Sequence, residues 1–152
     1  MSQEDVQPMA EIRGIERLTH IFGRWPSFHD AEVLRVRLDH DAQLGAALET
    51  DIHLFEMTSE VDERGYYVLR NHTLATLRFD GMSALDLGWF DRQNVIADLS
   101  IKEIAEPEEA TQVWHVELAS SVGMEASFDC ATITVAEARP FGLPDQDAHA
   151  DS

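Results

Sequence analysis

Residues 25–33 read Trp25-Pro26-Ser27-Phe28-His29-Asp30-Ala31-Glu32-Val33, and the chain changes its period across them. Upstream, Ile12, Ile15, Leu18, Thr19 and Phe22 recur at steps of three and four, the spacing of one amphipathic helix of about three turns. Gly23 is placed to end that helix, and Pro26 cannot continue it. Beyond Glu32 the period is two: Val36 and Leu38 alternate with Arg35 and Arg37, as in a strand with one buried face. The block therefore aims the chain from a helix into a sheet, with Trp25 and Phe28 as packing anchors and His29-Asp30 at the strand entrance.

A second strand follows, with Leu48, Ile52 and Leu54 on one face and Glu49, Asp51 and His53 on the other. Residues 39–45 are short enough to join the two as a hairpin. Residues 58–65 are mostly polar and charged and end in Gly65, which predicts a loop. Extended runs are expected over 66–69, 72–79, 85–89, 95–104, 113–119, 124–129 and 131–138, with Glu106-Pro107-Glu108-Glu109 as an exposed turn. Such short connections favour antiparallel neighbours, because parallel pairs need a crossover of a dozen or more residues. The expected fold is α+β, one N-terminal helix packed on a curved, mainly antiparallel β-sheet meander. Residues 1–10 read as a flexible arm, 11–139 as a single domain and 140–152 as a disordered acidic tail.

Composition bounds the function. A chain of 152 residues, 44% hydrophobic, suits one core. No apolar run is long enough to span a membrane, and the start Met1-Ser2-Gln3-Glu4-Asp5 has no basic flank or apolar stretch of a secretory signal, so a cytoplasmic location is expected. One cysteine, Cys130, allows no internal disulfide and no multi-cysteine zinc site. The net charge is −18, and residues 12–138 alone hold 23 acidic and 10 basic side chains, a net of −13. A domain of that sign repels phosphate backbones and anionic lipid and attracts basic partners, and it also serves plain solubility.

Chemistry-bearing motifs are sparse. An adjacent His29-Asp30 suggests the pair that holds a metal in some phosphohydrolases, which also need distant His and Asp ligands. The pair opens a strand, where adjacent side chains point to opposite faces, so both cannot easily reach one metal without a local bend. His29 is then structural or exposed, and Asp30 caps a turn or accepts backbone hydrogen bonds. The seven histidines show no i, i+4 pair, and no Gly-x-Ser-x-Gly elbow or Gly-rich phosphate loop is present. Cys130 follows Phe128 at strand spacing, as a small core residue would. In the second distinctive block, Trp89-Phe90-Asp91-Arg92-Gln93-Asn94-Val95-Ile96, the two aromatics are expected in the core and Asn94 in side-chain hydrogen bonds that steady the turn before residue 95. No catalytic constellation, metal site or cofactor is expected.

These two blocks, together with Phe128-Asp129-Cys130-Ala131-Thr132-Ile133-Thr134-Val135, make residues 20–138 resemble the immunity protein 50 family of bacterial polymorphic toxin systems. Residues 25–33 are the most specific part of that resemblance. It implies an intracellular, non-catalytic antidote that binds and neutralises a cognate protein toxin. A basic toxin would suit the acidic surface, with Glu49, Asp51 and Glu56, or Glu60, Asp62 and Glu63, as candidate partner-binding carboxylates. Trp25, Pro26, Phe28, His29, Asp30, Glu32 and Asn94 are the structural motif residues. Two other classes stay open from the residues: a metal-dependent hydrolase using His29 and Asp30, and a general acidic interaction module.

Overall fold

A computed structural model of the chain describes residues 11–43, 45–104 and 113–142. Its elements are α1 (Glu16–Phe22), β1 (Glu32–Asp41), β2 (Gly45–Val61), β3 (Tyr67–Gly88), β4 (Val95–Ile104), β5 (Val113–Val122), β6 (Glu125–Cys130) and β7 (Thr132–Pro140). The proposed N-terminal arm, the Glu106–Glu109 turn and most of the proposed tail lie outside the described residues. The architecture is a mainly antiparallel sheet with one short helix. Its strand order is β2-β1-β4-β5-β6-β3-β7, and β2 also pairs with β3.

That order is not a simple meander. β1-β2-β3 and β4-β5-β6 are each successive antiparallel strands, but the chain crosses after β3 to place β4 beside β1. Because β2 meets β3 and β3 meets β6, the pairings return to the strand they started from. β3 can serve three neighbours because it is 22 residues long. Residues 73–80 pair with β2 on one side and β7 on the other, and residues 83–88 pair with β6.

Three of the separate extended runs read from sequence are this one strand. Asn71 (φ 56°), Gly81 (φ 66°) and Ala84 (φ 58°) interrupt its alternation without ending it. Irregular register accompanies these positions, which is how bulges bend a strand and re-aim its side chains. Gly81 is required for a second reason: a Cβ there would sit 2.9 Å from the Ala131 side chain, at the kink between β6 and β7. Strand structure also extends through Val61, so the expected loop shrinks to the turn around Asp62–Tyr66.

The inner faces supply the core. Leu48, Thr50 and Ile52 lie opposite Phe79, Leu77 and Ala75, while Leu99 and Ile101 lie opposite Leu118 and Val116. Phe79 and Phe128 meet edge to face with ring centroids 5.0 Å apart. Between these side chains the remaining void is only about 10 Å³, so the interior is filled by side chains. Leu38 shares the face of its partner Leu48 but is 50% exposed, since no described residue covers it as the core covers Leu48.

The helix has seven residues, about two turns, not three. Ile12 is buried as expected, but it precedes the helix, in a segment that bridges β7: Arg13 N–H donates to the Ile133 carbonyl (2.9 Å) and Val135 N–H to the Arg13 carbonyl (2.7 Å). Gly14 at φ 71° turns the chain out of that bridge, and a Cβ there would stand 2.5 Å from the Val135 carbonyl oxygen. Gly23, left-handed at φ 80°, ends the helix with its N–H on the Thr19 carbonyl. Leu18 is fully buried, and Phe22 packs at the core margin.

The two distinctive sequence blocks meet. Asp30 N–H donates to the Ile96 carbonyl, Ile96 N–H to the Ala31 carbonyl and Val33 N–H to the Asn94 carbonyl, each at 2.8 Å. Asn94 is 4% exposed; its Oδ1 accepts from the N–H groups of Asp91 (2.9 Å) and Met124 (3.0 Å), and its Nδ2 donates to the Asp91 carbonyl (2.8 Å). Gly123, at φ 84°, is the matching half of this lock, since a Cβ would collide with the Gln93 carbonyl oxygen and Asn94 Oδ1. Asn94→Ala should leave buried N–H groups unsatisfied and cost about 2–3 kcal/mol, and Gly123→Ala at least about 2 kcal/mol through clash and strain. Urea unfolding of the two variants, alone and combined, checks both figures, and a combined loss smaller than the sum would show that they act on one junction.

Candidate functional site

His29 and Asp30 sit in a turn ahead of β1, not within the strand. Asp30 takes a left-handed backbone (φ 71°), and this brings its Oδ1 to 3.6 Å from His29 Nε2, so the expected divergence of the two side chains is corrected. His29 Nδ1 donates to the Ala97 carbonyl at 3.0 Å, which ties the turn to β4. The rings of Trp25 and Phe28 meet at a tilt with centroids 5.4 Å apart; Pro26 and Phe28 are buried and Trp25 is half-buried. Glu32 pairs through its backbone with Val95. Among the described residues no group of three His, Cys, Asp or Glu side chains converges as a metal site.

Glu49 and Asp51 lie on the outer face of β2, as read from the alternation, and both are engaged within the chain. Arg35, across the β1–β2 ladder, places Nε 2.7 Å from Asp51 Oδ2 and Nη2 2.7 Å from Glu49 Oε2. From β3, Thr76 donates its hydroxyl to Asp51 (2.7 Å) and Arg78 reaches Glu49 at 3.2 Å. Arg37 and Arg78 extend the same lattice to Asp39 and Asp80. Hydrogen bonds from Arg35 hold both carboxylates below the usual acidic range, outweighing the opposing effect of burial. These two groups brace three strands, and their negative charge is largely answered where it stands.

Glu56, Glu60, Asp62 and Glu63 belong to a different surface. The pairing of β2 with β1 ends at His53, and that of β3 with β7 ends at Thr73, so residues 55–72 continue as a two-stranded hairpin. Five large apolar side chains are exposed on it: Met57, Val61, Tyr66, Tyr67 and Leu69. Asp62 shapes the tip, its Oδ1 accepting from the N–H groups of Arg64 and Tyr66, both at 2.9 Å. Glu60 pairs with Arg70 (2.8 Å), Glu56 accepts from Asn71 (2.7 Å), and Glu63 faces solvent. At the hairpin base His53 and His72 share a hydrogen bond of 2.9 Å, and the Phe141 ring lies tilted against His53 with centroids 4.6 Å apart. Burial, then His72, lowers the His53 pKa.

The sequence reading misplaced the second aromatic block. Trp89 is 79% exposed and Phe90 54%, because Trp89 adopts a left-handed backbone (φ 68°) at the end of β3 and turns both rings away from the core. An exposed tryptophan at a bend cannot be told from a core tryptophan by residue type. On the outer face of β5 and β6, His115 stands between Asp129 (2.7 Å) and Glu117 (3.2 Å), which raise its pKa in that order. Cys130 is buried, and desolvation pushes its thiol up to about 12, which suits a core residue and not a nucleophile.

Residues 14–141 match the family model described as Immunity protein 50, a span that contains every helix and strand described above. No curated protein and no solved structure matches the chain. The chain belongs to the immunity protein 50 family.

Two measurements test the electrostatics. Arg35 is 39% exposed, so solvent screens its pairs, and Arg35→Ala should cost about 1–2 kcal/mol at neutral pH, less than a dry pair would. Since the carboxylate pKa values are depressed, that stabilisation exists above the ordinary carboxylate range and is lost as pH falls through the lowered values. The gap between variant and parent in urea unfolding should therefore close in strong acid. For the histidines, ring-proton NMR titration should place His115 above the ordinary histidine midpoint and His53 below it. Asp129→Asn should bring His115 back down while leaving His53 in place.

Proposed function

We propose that this member of the immunity protein 50 family is a non-catalytic antidote that binds a cognate bacterial protein toxin in the cytoplasm and thereby neutralises it. The observation that carries the reading is the family match, which extends over the whole of the described sheet and its helix. The charge supports it: a body of net −13 attracts a basic protein and repels nucleic acid and anionic lipid. Steering of this kind raises association rates toward about 10⁸–10⁹ M⁻¹s⁻¹ at low salt.

Within that field the candidate carboxylates have different work. Glu49 and Asp51 are bound into the arginine lattice and add to the long-range potential only through its small residual charge. Glu56, Glu60, Asp62 and Glu63 stand on a hairpin that extends beyond the paired sheet, where a diffusing partner meets them early. The hydrolase alternative needs a further ligand beside His29 and Asp30, and its own test is whether His29→Ala changes any metal-dependent activity.

Co-expression with the toxin encoded by the adjacent gene tests the proposal. Cells producing both proteins should grow, and cells producing the toxin alone should not. A toxin that stays lethal while this chain is soluble and abundant defeats the reading for that pair.

A further inference from the structure

The exposed apolar surface at Trp89, Phe90 and Val122 lies where β3 ends beside the start of β4 and the end of β5. Such a surface is costly to leave in water, since the hydrophobic effect favours removing large apolar side chains from it. It is also held in place. Residues 89–94 are a short loop whose interior bonds run through Asp91 and the buried Asn94, the same side chain that fixes the start of β6. Aromatic rings presented on a preordered loop lose little entropy when they bind.

What covers this surface is indicated by the charge around it. Beside Trp89 the outer faces of β3, β6 and β5 form a hollow of about 370 Å³, lined also by Asp86, Glu117, Glu125 and Ser127. Glu117, Ser127 and Asp86 are cross-strand neighbours in one row. Glu117 Oε2 lies 3.2 Å from His115 Nε2, whereas the side chains of Asp86 and Glu125 make no hydrogen bond or ion pair among the described residues. Three of the four hairpin carboxylates differ: Glu56 and Glu60 are answered by Asn71 and Arg70 and Asp62 by backbone N–H groups, while Glu63 faces solvent at the tip. A tryptophan face next to unanswered carboxylates is complementary to a guanidinium, which stacks on the ring while its N–H groups bond the acids. The hollow has the volume for side chains of a docked loop.

We propose that Trp89, with Asp86 and Glu125 in the hollow beside it and Phe90 next in the chain, forms the surface that anchors the partner toxin through an arginine-bearing loop. This rests on the immunity reading and adds the place and chemistry of the contact. Hairpin carboxylates accelerate encounter, and the Trp89 surface sets how long the complex lasts.

The test uses the full-length chain and a catalytically inactivated form of the adjacent-gene toxin in surface-binding kinetics. Trp89→Gly removes the ring and suits the left-handed backbone, so the fold should persist, which circular dichroism checks. It should raise the dissociation rate about thirtyfold, the scale of an interface hot spot, with little change in association rate. The pair Asp86→Asn and Glu125→Gln should weaken binding and flatten its salt dependence. Tight binding by the parent chain with an unchanged dissociation rate in both variants overturns the anchor while leaving the immunity reading intact. Self-association of this chain that Trp89→Gly abolishes, with toxin binding unaffected, assigns the surface to a second copy and also overturns it. Absence of any toxin binding by the parent chain overturns the anchor and the reading beneath it together.

Discussion

The seam between β1 and β4 is the constraint on which the rest depends. A strand edge exposes a row of unpaired N–H and C=O groups, and an antiparallel sheet of two three-stranded halves would leave such edges on both. The β3–β6 ladder joins the halves on one side; on the other, at this seam, they are joined by very few backbone hydrogen bonds, from Asp30, Ala31 and Val33 to Asn94 and Ile96. Only Glu32 and Val95 stand in regular register across the seam. Such a short ladder is weak by itself, so side chains hold its two sides: Trp25 and Phe28 pack behind one, His29 reaches the Ala97 carbonyl, and Asn94 ties the other to β6.

The same economy applies to charge. The acidic excess of the chain suggests a surface of free carboxylates, yet part of it is structural. Three arginines on β1 and β3 cross-link Glu49, Asp51, Asp39 and Asp80 over the outer face of β1-β2-β3. This lattice reinforces on the solvent side the register that the buried inner face of β2 and β3 already specifies, because cross-strand ion pairs reward only one alignment. Removing those carboxylates from the free population shifts the unanswered negative charge toward the hairpin tip and the hollow beside Trp89. Where negative charge stays unanswered is therefore set by geometry and not by total charge.

Much of the fold was legible in the sequence because it rests on local chemistry. The change of period at residues 25–33, the two-faced pattern of Leu48 to Leu54 and the turn role of Asn94 each follow from residue type and spacing. What was not legible depends on register or on backbone sign. The hydrophobic period from Ile12 to Phe22 is continuous, but Gly14 is needed at positive φ to leave the β7 bridge, and the helix starts later. The runs around residues 67–88 look like separate strands because bulges at Asn71, Gly81 and Ala84 break their alternation. Glu49 and Asp51 look free because their arginine partners lie 14 to 29 residues away in sequence, across ladders whose alignment a single chain does not reveal. Trp89 and Phe90 follow the general preference of aromatics for the interior, which one left-handed residue overrides.

That override connects fold to recognition. Asn94 closes the sheet with its backbone and organises residues 89–94 with its side chain, so the exposed rings are displayed by the element that completes the core. A loop built in this way cannot relax without loosening the seam, and the seam cannot close without presenting the loop. The cost of the left-handed Trp89 and of its exposed ring, each of order 1–2 kcal/mol, is carried by the surrounding sheet. Strain of that size on a water-facing tryptophan contributes nothing to packing. It is retained most economically where binding a partner recovers the buried area.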